Sequence, residues 1–231
     1  DKYVDIDLVG DSMANVLYGH KNTYKISLEN IIQHTLSVKM GIKKSLLTVD
    51  MPKGSYSSIK NALKNVKLVI KKTGCDAVKL ENYKDNHKII EALVKKKIPV
   101  MGHIGYTPQF KKKFKIEGQT KSEAKKLLNE AKLIEKGGAF SVVLECISPS
   151  TAKLITRELN IPTIGIGSSS NCDGQILVTD DMLGISGFYP KFVKKYAKLD
   201  RTIEKAVKKY TRDVKLRKFP SKKQFLNGTK R

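Results

Sequence analysis

Short apolar runs alternate with longer segments of helical period along the whole chain. The runs are rich in Val, Ile and Leu, as strands buried on both faces are, and the segments between them are long enough for crossover helices. This alternation predicts an α/β fold with a parallel sheet. The seven predicted strands cover residues 6–10, 46–49, 77–80, 100–102, 141–144, 163–166 and 176–178.

Two of the intervening segments carry clear helix signals. The first has one apolar face, formed by Leu28, Ile31, Ile32 and Thr35. The second follows Thr120, which together with Glu123 has the spacing of a capping box, in which each residue satisfies a backbone N–H of the first turn. We therefore expect helices over both segments.

The domain organisation predicted from the sequence is simple. No Pro-, Gly- or Ser-rich stretch divides the chain, so residues 1–231 are expected to form a single (β/α) barrel domain. Its C-terminal part, from about residue 189 to 231, is expected to be helical. A chain of this length suits one α/β barrel.

Polar residues cluster at or just after the predicted strand ends. They are Asp11, Ser12, Asp50, Lys79, Glu81, His103, Glu145 and the stretch 165–170. In a (β/α)₈ TIM barrel the carboxyl ends of the strands converge on one face, where catalysis takes place. An open doubly wound sheet also binds ligands beyond its strand ends, but it does not readily gather six of them around one centre. We therefore favour the barrel.

The net charge of +23 raises the alternative of a basic barrel that binds RNA without catalysis. Only five of the 45 basic residues are arginine, the residue best suited to phosphate and base recognition, and the lysines are spread over every predicted helix. This scatter favours solvated helix faces, so no nucleic-acid partner is expected. Three widely spaced cysteines and the absence of an apolar run of about 18 residues predict a cytoplasmic protein without a membrane span.

Three carboxylates are candidate ligands for a metal ion. Asp11, Asp50 and Glu81 lie on three different predicted strands and offer the hard oxygen atoms that Mg²⁺ prefers. Taken one at a time, each is better explained by a helix cap or a salt bridge. Lys79 lies two positions before Glu81 and so points to the same side of its strand, where an ion pair is the structural alternative.

Two further residues are candidates for proton transfer. Glu145 follows the buried apolar run 142–144, which makes it a candidate general base. His103 lies in a glycine-containing run, where the residues alone slightly favour a histidine bonded to the backbone. The 165–170 stretch could bind an anion or simply turn the chain.

Seven short blocks, taken together and in order, closely resemble the signature blocks of the ketopantoate hydroxymethyltransferase family. Their order along the chain makes the resemblance far more specific than any single block. The blocks are VGDS at 9–12, DMP at 50–52 with GSY at 54–56, AVKLE at 77–81, VMGHIG at 100–105 with TPQ at 107–109, VLEC at 143–146, IPTIGIG at 161–167 and CDGQILV at 172–178.

The resemblance implies a (β/α)₈ barrel that transfers a hydroxymethyl group from 5,10-methylenetetrahydrofolate to 3-methyl-2-oxobutanoate, giving 2-dehydropantoate for pantothenate biosynthesis through an enolate stabilised by Mg²⁺. It implies that Asp11 and Asp50 hold the metal, with Glu81 beside it through water. It also implies a homo-oligomer, a decamer in the family.

By the same resemblance, the remaining candidates receive roles around the substrate. Ser12 and Lys79 would join Asp11 and Asp50 in binding the 2-oxo acid. His103 would line the pocket, and Glu145 would be the base.

Some positions depart from the family pattern. Asn82 and Tyr83 follow Glu81 where the family has two glycines, and Ser168 and Ser169 replace an Ala-Gly pair. The blocks also begin at what is the second strand of the family barrel, so the first strand is expected to be missing from this sequence. The alternative within enzymes is another carbon–carbon lyase or transferase of the phosphoenolpyruvate mutase-like barrels, but their cysteine-bearing loop signature is not found.

Overall fold

A single parallel sheet of seven consecutive strands organises the first part of the chain. The computed structural model describes residues 1–225. The sheet order follows the sequence without a crossover between non-neighbours, and every pairing is parallel. The strands are β1 Ile6–Val9, β2 Leu46–Asp50, β3 Ala77–Glu81, β4 Val100–Gly105, β5 Ser141–Glu145, β6 Thr163–Ile166 and β7 Gly174–Gln175.

The chain divides into two compact units, Asp1–Ile176 and Leu177–Arg231, and the expectation of a single domain stays a prediction. In the first unit the strands alternate with α1 Met13–Val16, α2 Leu28–Lys39, α3 Ile59–Thr73, α4 His87–Val94, α5 Lys121–Lys136 and α6 Pro149–Glu158. The second unit contains α7 Thr179–Leu183 and α8 Leu199–Lys215.

This alternation is the TIM-barrel pattern predicted from the sequence, with seven strands. The predicted C-terminal helical segment, residues 189–231, contains α8 and a short 3₁₀ turn at Lys222–Gln224, and the chain before α8 is not helical from residue 189 to 198. Its last part, residues 226–231, lies outside the described residues. Within residues 1–225, no helix is both long enough and apolar enough to cross a bilayer.

Helices α2, α3 and α5 begin where a Ser or Thr side chain satisfies one of their first N–H groups. Ser27 caps α2 in a capping box with Asn30, and the predicted apolar face of α2 buries Ile31, Ile32 and Thr35. At α5 only half of the predicted capping box forms. Thr120 accepts from the Glu123 N–H, whereas the Glu123 carboxylate accepts from the N–H of Gln119 instead of that of Thr120.

The core lies between the sheet and its helices. Strands β3 and β4 are buried along their whole length, and their polar residues Lys79, Glu81 and His103 are therefore buried as well. β4 runs to Gly105, three residues beyond the predicted end, so His103 lies within the strand and not after it. Asp50, Glu81 and Glu145 also belong to their strands, and each is the last residue of its strand.

The predicted position of the seventh strand was wrong. The strand consists of Gly174 and Gln175, which pair with Ile164 and Gly165 of β6, and not of residues 176–178. Ile176 still donates its N–H to the Gly165 carbonyl, at 3.0 Å, but the chain then leaves the sheet and Val178 becomes the N-cap of α7. The apolar run resembles a strand, but the pairing with β6 is already made by the two residues before it.

Candidate active site

The candidate side chains come from the carboxyl ends of five adjacent strands. Pairing places them side by side, because Asp50 of β2 is opposite Lys79 of β3, and Glu81 of β3 is opposite His103 of β4. Asp11 follows β1, and Glu145 ends β5. All of these side chains are buried except that of Glu145, which is 20% exposed. The strand ends thus gather most of the predicted site around one centre.

A buried ion pair joins β2 and β3. The Lys79 ammonium lies 2.9 Å from Oδ1 and 2.8 Å from Oδ2 of Asp50. Burial alone would lower the pKa of Lys79, but Asp50, Glu81 and Asp11 together raise it above its ordinary value. Lys79 therefore stays protonated and is a fixed positive charge within the site.

Asp11 is a second buried carboxylate beside this pair. Its backbone N–H approaches Oδ2 of Asp50 at 3.5 Å, and its own Oδ2 accepts from Nε2 of Gln109 at 3.0 Å. Burial and the negative charge of Asp50 raise the pKa of Asp11 to about 7, although Lys79 acts against this rise. Two carboxylates so close together favour a cation or a proton between them.

Glu81 is the most enclosed of the three acids. Its Oε2 accepts from the backbone N–H of Gln109 at 3.1 Å. Its Oε1 is buried and has no hydrogen-bond partner within residues 1–225. Burial raises the pKa of Glu81 well above its ordinary value. An unpaired buried carboxylate oxygen is costly, and it is suited to a water molecule or an ion.

His103 lies between two acids. Its Nε2 is 3.2 Å from Oε2 of Glu145, and its Nδ1 is 3.9 Å from Oε1 of Glu81. Neither ring nitrogen is in hydrogen-bond geometry with any group of the described chain. Burial, followed by the positive charge of Lys79, lowers the pKa of His103, so the ring is neutral at neutral pH. His103 therefore separates Glu81 from Glu145 as a neutral group.

The backbone around Glu145 is tightly braced. Its carbonyl accepts from the Tyr106 N–H at 2.8 Å, and the next residue, Cys146, has a positive φ of 51°. This conformation is costly for a residue with a side chain, and it turns the chain sharply after β5. Glu145 thus has a fixed backbone, while its carboxylate is the most accessible of the candidate acids.

Ser12 lies at the N-terminus of α1 beside Asp11 and is half-buried. Its side chain does not cap the helix. Within the part of the chain that the structure describes, its hydroxyl makes no hydrogen bond to the other candidate residues. Ser12 therefore lies next to the site, but its side chain is not hydrogen-bonded to the other candidate residues.

Comparison with known proteins decides the family. Residues 1–222 match the family model described as ketopantoate hydroxymethyltransferase. This chain belongs to that family. A 3-methyl-2-oxobutanoate hydroxymethyltransferase from Pelagibacter ubique is 49% identical over 223 residues, covering 96% of this chain and 87% of that protein. The protein of the same name from Anaplasma marginale strain St. Maries is 48% identical, covering 95% of this chain and 80% of its own length.

Solved structures of other proteins share the fold of this chain. The phosphoenolpyruvate phosphomutase of Streptomyces platensis subsp. rosaceus aligns over 93% of this chain and 77% of its own, with a TM-score of 0.58 at 13% identity. A phosphonopyruvate hydrolase in complex with oxalate and Mg²⁺ aligns over 96% of this chain and 82% of its own, with a TM-score of 0.57 at 13% identity. At this identity the likeness concerns the fold alone.

Three of the four departures from the family pattern make side-chain contacts, and Asn82 is the exception. The Asn82 backbone N–H donates to the His103 carbonyl at 2.7 Å, as a glycine could, but its side-chain Oδ1 is buried without a partner within residues 1–225. The Tyr83 ring stacks on Phe110 with centroids 4.7 Å apart. Ser168 donates to the Leu144 carbonyl at 2.6 Å and accepts from the Ile147 N–H at 3.1 Å. Ser169 accepts from Asn171. Ser168 therefore braces the backbone on both sides of Glu145.

Two buried residues of the site were not assigned a role from the sequence. Gln109 contacts Asp11, Glu81 and Tyr56 through hydrogen bonds, and both Gln109 and Tyr56 are buried. Both belong to blocks that resemble the family, TPQ and GSY, and this resemblance was the sequence feature that could have indicated them. That feature could not give a role, because neither residue follows a predicted strand directly.

The acids do not form a complete metal cage by themselves. Within residues 1–225, no three His, Cys, Asp or Glu side chains are grouped closely enough to hold a metal ion. The three carboxylates do lie at neighbouring strand ends, but both oxygens of Asp50 contact Lys79. Ligation by one or two of them, completed by substrate and water oxygens, is the arrangement that Mg²⁺ usually adopts.

Proposed function

We propose that this protein transfers a hydroxymethyl group from 5,10-methylenetetrahydrofolate to 3-methyl-2-oxobutanoate, giving 2-dehydropantoate for pantothenate biosynthesis. The observation that carries the proposal is the 49% identity, over 96% of the chain, to a protein named for the hydroxymethyl transfer to this 2-oxo acid. The gathering of acids, lysine and histidine at the strand ends supports it, because these groups suit the chemistry of a 2-oxo acid.

The proposed metal ion is Mg²⁺, with Asp11 and Asp50 as direct ligands and Glu81 as a ligand through water. The donor set fits, because all three are hard carboxylate oxygens and Oε1 of Glu81 is buried without a partner among the described residues. The pKa of Asp11, raised to about 7 by burial and by Asp50, also indicates a site that favours added positive charge. When bound, the metal would withdraw electron density from the keto oxygen of the substrate and make its C3–H more acidic.

Lys79 is proposed to bind and stabilise the keto end of the substrate. Its pKa is raised, so it remains a buried cation whatever the substrate does. Negative charge that develops on the keto oxygen during proton removal is stabilised by such a fixed charge in a desolvated site. Ser12, with its hydroxyl not engaged by other candidate residues, is proposed to bind the substrate carboxylate.

Glu145 is proposed to be the base that removes the C3 proton. Its carboxylate is partly exposed, so substrate can reach it, and its backbone is held by Tyr106 and by the brace around Ser168. Neutral His103 lies 3.2 Å from this carboxylate and is proposed to line the pocket beside it. The substrate carbon freed of its proton would then form a C–C bond to the one-carbon unit of the folate. The bonds of that unit to the two folate nitrogens break, water supplies the hydroxyl group, and tetrahydrofolate leaves.

We also propose a cellular location, an oligomeric state and partners for this protein. A cytoplasmic location and a homo-oligomer, with the decamer as the expected form, are proposals that rest on the family resemblance. The substrates would be small molecules, a 2-oxo acid and a folate, with no membrane or nucleic-acid partner.

The direct test is product formation. The protein is incubated with 3-methyl-2-oxobutanoate, 5,10-methylenetetrahydrofolate and Mg²⁺, and 2-dehydropantoate is measured by mass spectrometry. We expect product that disappears when Mg²⁺ is chelated and in Glu145→Gln. Parallel incubation with phosphoenolpyruvate tests the mutase-like alternative. Turnover of that compound without any 2-dehydropantoate would overturn the proposal.

A further inference from the structure

We propose that Gln109 is a positioning residue that orients the two carboxylates Asp11 and Glu81 toward the cation. This inference rests on the proposed function, because it assigns Gln109 to the same metal-dependent site. Gln109 comes from the loop after β4, whereas the two acids come from the ends of β1 and β3. One residue therefore connects three different strand ends.

Almost all polar groups of Gln109 are engaged in hydrogen bonds. The side chain is buried, and Nε2 donates to Oδ2 of Asp11 and to the Met51 carbonyl, at 3.0 Å each. Its Oε1 accepts from the Tyr56 hydroxyl at 2.6 Å. The backbone N–H of the same residue donates to Oε2 of Glu81 at 3.1 Å. A single buried residue thus gives a hydrogen bond to each of the two acids.

The orientation of the amide is fixed from both ends. The Met51 carbonyl can only accept, so it requires the NH₂ group of Gln109 on its side. Tyr56 is buried, and burial raises the pKa of its hydroxyl well above the ordinary value, so this group keeps its proton and can donate to Oε1. The NH₂ group must therefore face Asp11, and a flipped amide would lose the Met51 contact.

In each of the two carboxylates, Gln109 bonds one oxygen and leaves the other oxygen without a bond from Gln109. Oδ2 of Asp11 and Oε2 of Glu81 each accept a hydrogen bond from an N–H of Gln109, which restricts the position of that oxygen. Oε1 of Glu81 is left buried and without a partner within residues 1–225. That oxygen is therefore presented to whatever positive or donor group enters the site. Hydrogen bonds of this kind to ligand groups usually contribute to metal affinity.

The experiment measures the Mg²⁺ requirement in three variants. Gln109→Met keeps the length of the side chain but removes its three side-chain hydrogen bonds, including the one to Asp11, while the backbone N–H bond to Glu81 remains. Tyr56→Phe keeps Gln109 but removes the hydroxyl that orients it. Gln119→Met is the matched control, because Gln119 is exposed and its amide bonds only the Ile116 carbonyl. For each protein, binding of 3-methyl-2-oxobutanoate is followed by calorimetry as Mg²⁺ is varied, with melting temperature as a measure of folding.

The expected result is a shift in Mg²⁺ requirement without a loss of fold. In Gln109→Met the Mg²⁺ concentration for half-maximal substrate binding should rise about 10–100-fold. Tyr56→Phe should show a smaller shift in the same direction, and Gln119→Met none. At saturating Mg²⁺, exchange of the C3 proton of the substrate should return to near the wild-type rate. A residue that only supports packing would lower melting temperature and exchange at every Mg²⁺ concentration.

The outcomes separate this inference from the function on which it rests. If wild type does not bind 3-methyl-2-oxobutanoate in the presence of Mg²⁺, the proposed function itself is wrong. If wild type binds it and folded Gln109→Met has an unchanged Mg²⁺ requirement, the Gln109 side chain does not position Asp11, and the proposal is wrong. Should Gln109→Met fail to fold, Tyr56→Phe decides in its place, and an unshifted requirement in that variant overturns the proposal.

Discussion

The Nε2 atom of His103 lies 3.2 Å from Oε2 of Glu145, so a neutral buried imidazole borders the most accessible acid of the site. This proximity makes either group a candidate for removing the substrate proton. Glu145 is favoured because its side chain is 20% exposed and can be reached by substrate, whereas the His103 side chain is almost completely buried. The two assignments predict different results when Glu145 alone is changed.

Glu145→Gln should stop proton removal while leaving substrate binding intact. In D₂O with Mg²⁺ and without folate, wild type should exchange the C3 proton of 3-methyl-2-oxobutanoate, and the variant should do so about 10²–10⁴-fold more slowly. Proton NMR measures the exchange and calorimetry the binding. Glu204→Gln, on the exposed face of α8, is the control. Equal exchange rates in wild type and Glu145→Gln would assign the base elsewhere, with His103 the next candidate.

Asp50→Asn should weaken metal-dependent binding of the substrate. The change keeps the side-chain shape but removes the negative charge that faces Lys79 and, in the proposed site, the cation. We expect the affinity for 3-methyl-2-oxobutanoate in the presence of Mg²⁺ to fall at least about tenfold. Calorimetry with and without Mg²⁺ checks this, and Asp200→Asn in α8 is an exposed control. Unchanged metal-dependent affinity would remove Asp50 from the site.

Gly105→Ala should destabilise the fold more than a comparable glycine change elsewhere. Gly105 has φ +95°, and a Cβ there would overlap the Glu145 carbonyl oxygen and lie 2.7 Å from Cγ1 of Ile147. Gly74→Ala is the matched control, because Gly74 also has a positive φ, +62°, but nothing lies within 4 Å of an added Cβ. Backbone strain alone should cost the control about 1–3 kcal/mol. In urea unfolding, Gly105→Ala should lose clearly more, and equal losses would mean that the contact relaxes without cost.

Cys146 should be unreactive in the native protein despite its position next to Glu145. Burial, and then the Glu145 charge, raise the pKa of its thiol from 9.0 to about 12, which lowers the thiolate fraction at pH 8 about 1000-fold. Iodoacetamide should therefore label Cys146 far more slowly in native than in guanidinium-unfolded protein, as read by peptide mass spectrometry. Comparable rates would contradict the burial.

The same thiol contributes to the pH dependence of stability. Its folded pKa lies above that of the unfolded chain, so its contribution is fully present below about pH 9 and is lost as the pH rises toward about 12. Cys146→Ser has no thiol to ionise. The free energy of unfolding of wild type should fall more steeply than that of Cys146→Ser between these pH values, and parallel curves would show that this titration is not linked to folding.

Much of the fold could be predicted because local patterns determine it. Six of the seven strands lie where the apolar runs indicate, and the face of α2 follows its helical period. The seventh strand was misplaced because apolar character alone does not fix register. The pairing of Gly174 and Gln175 with β6 depends on residues that have little apolar character of their own.

The sequence by itself determined the family, the alternation of strands and helices, and which acids, lysine and histidine stand at the strand ends. These features depend only on residue types and on their spacing over short stretches of the chain. Only the tertiary structure decided that Gln109 bonds Asp11, because these residues are 98 positions apart, and that Oε1 of Glu81 is buried without a partner within residues 1–225. Such contacts depend on how the strand ends converge, and sheet pairing brings together residues that no local pattern connects.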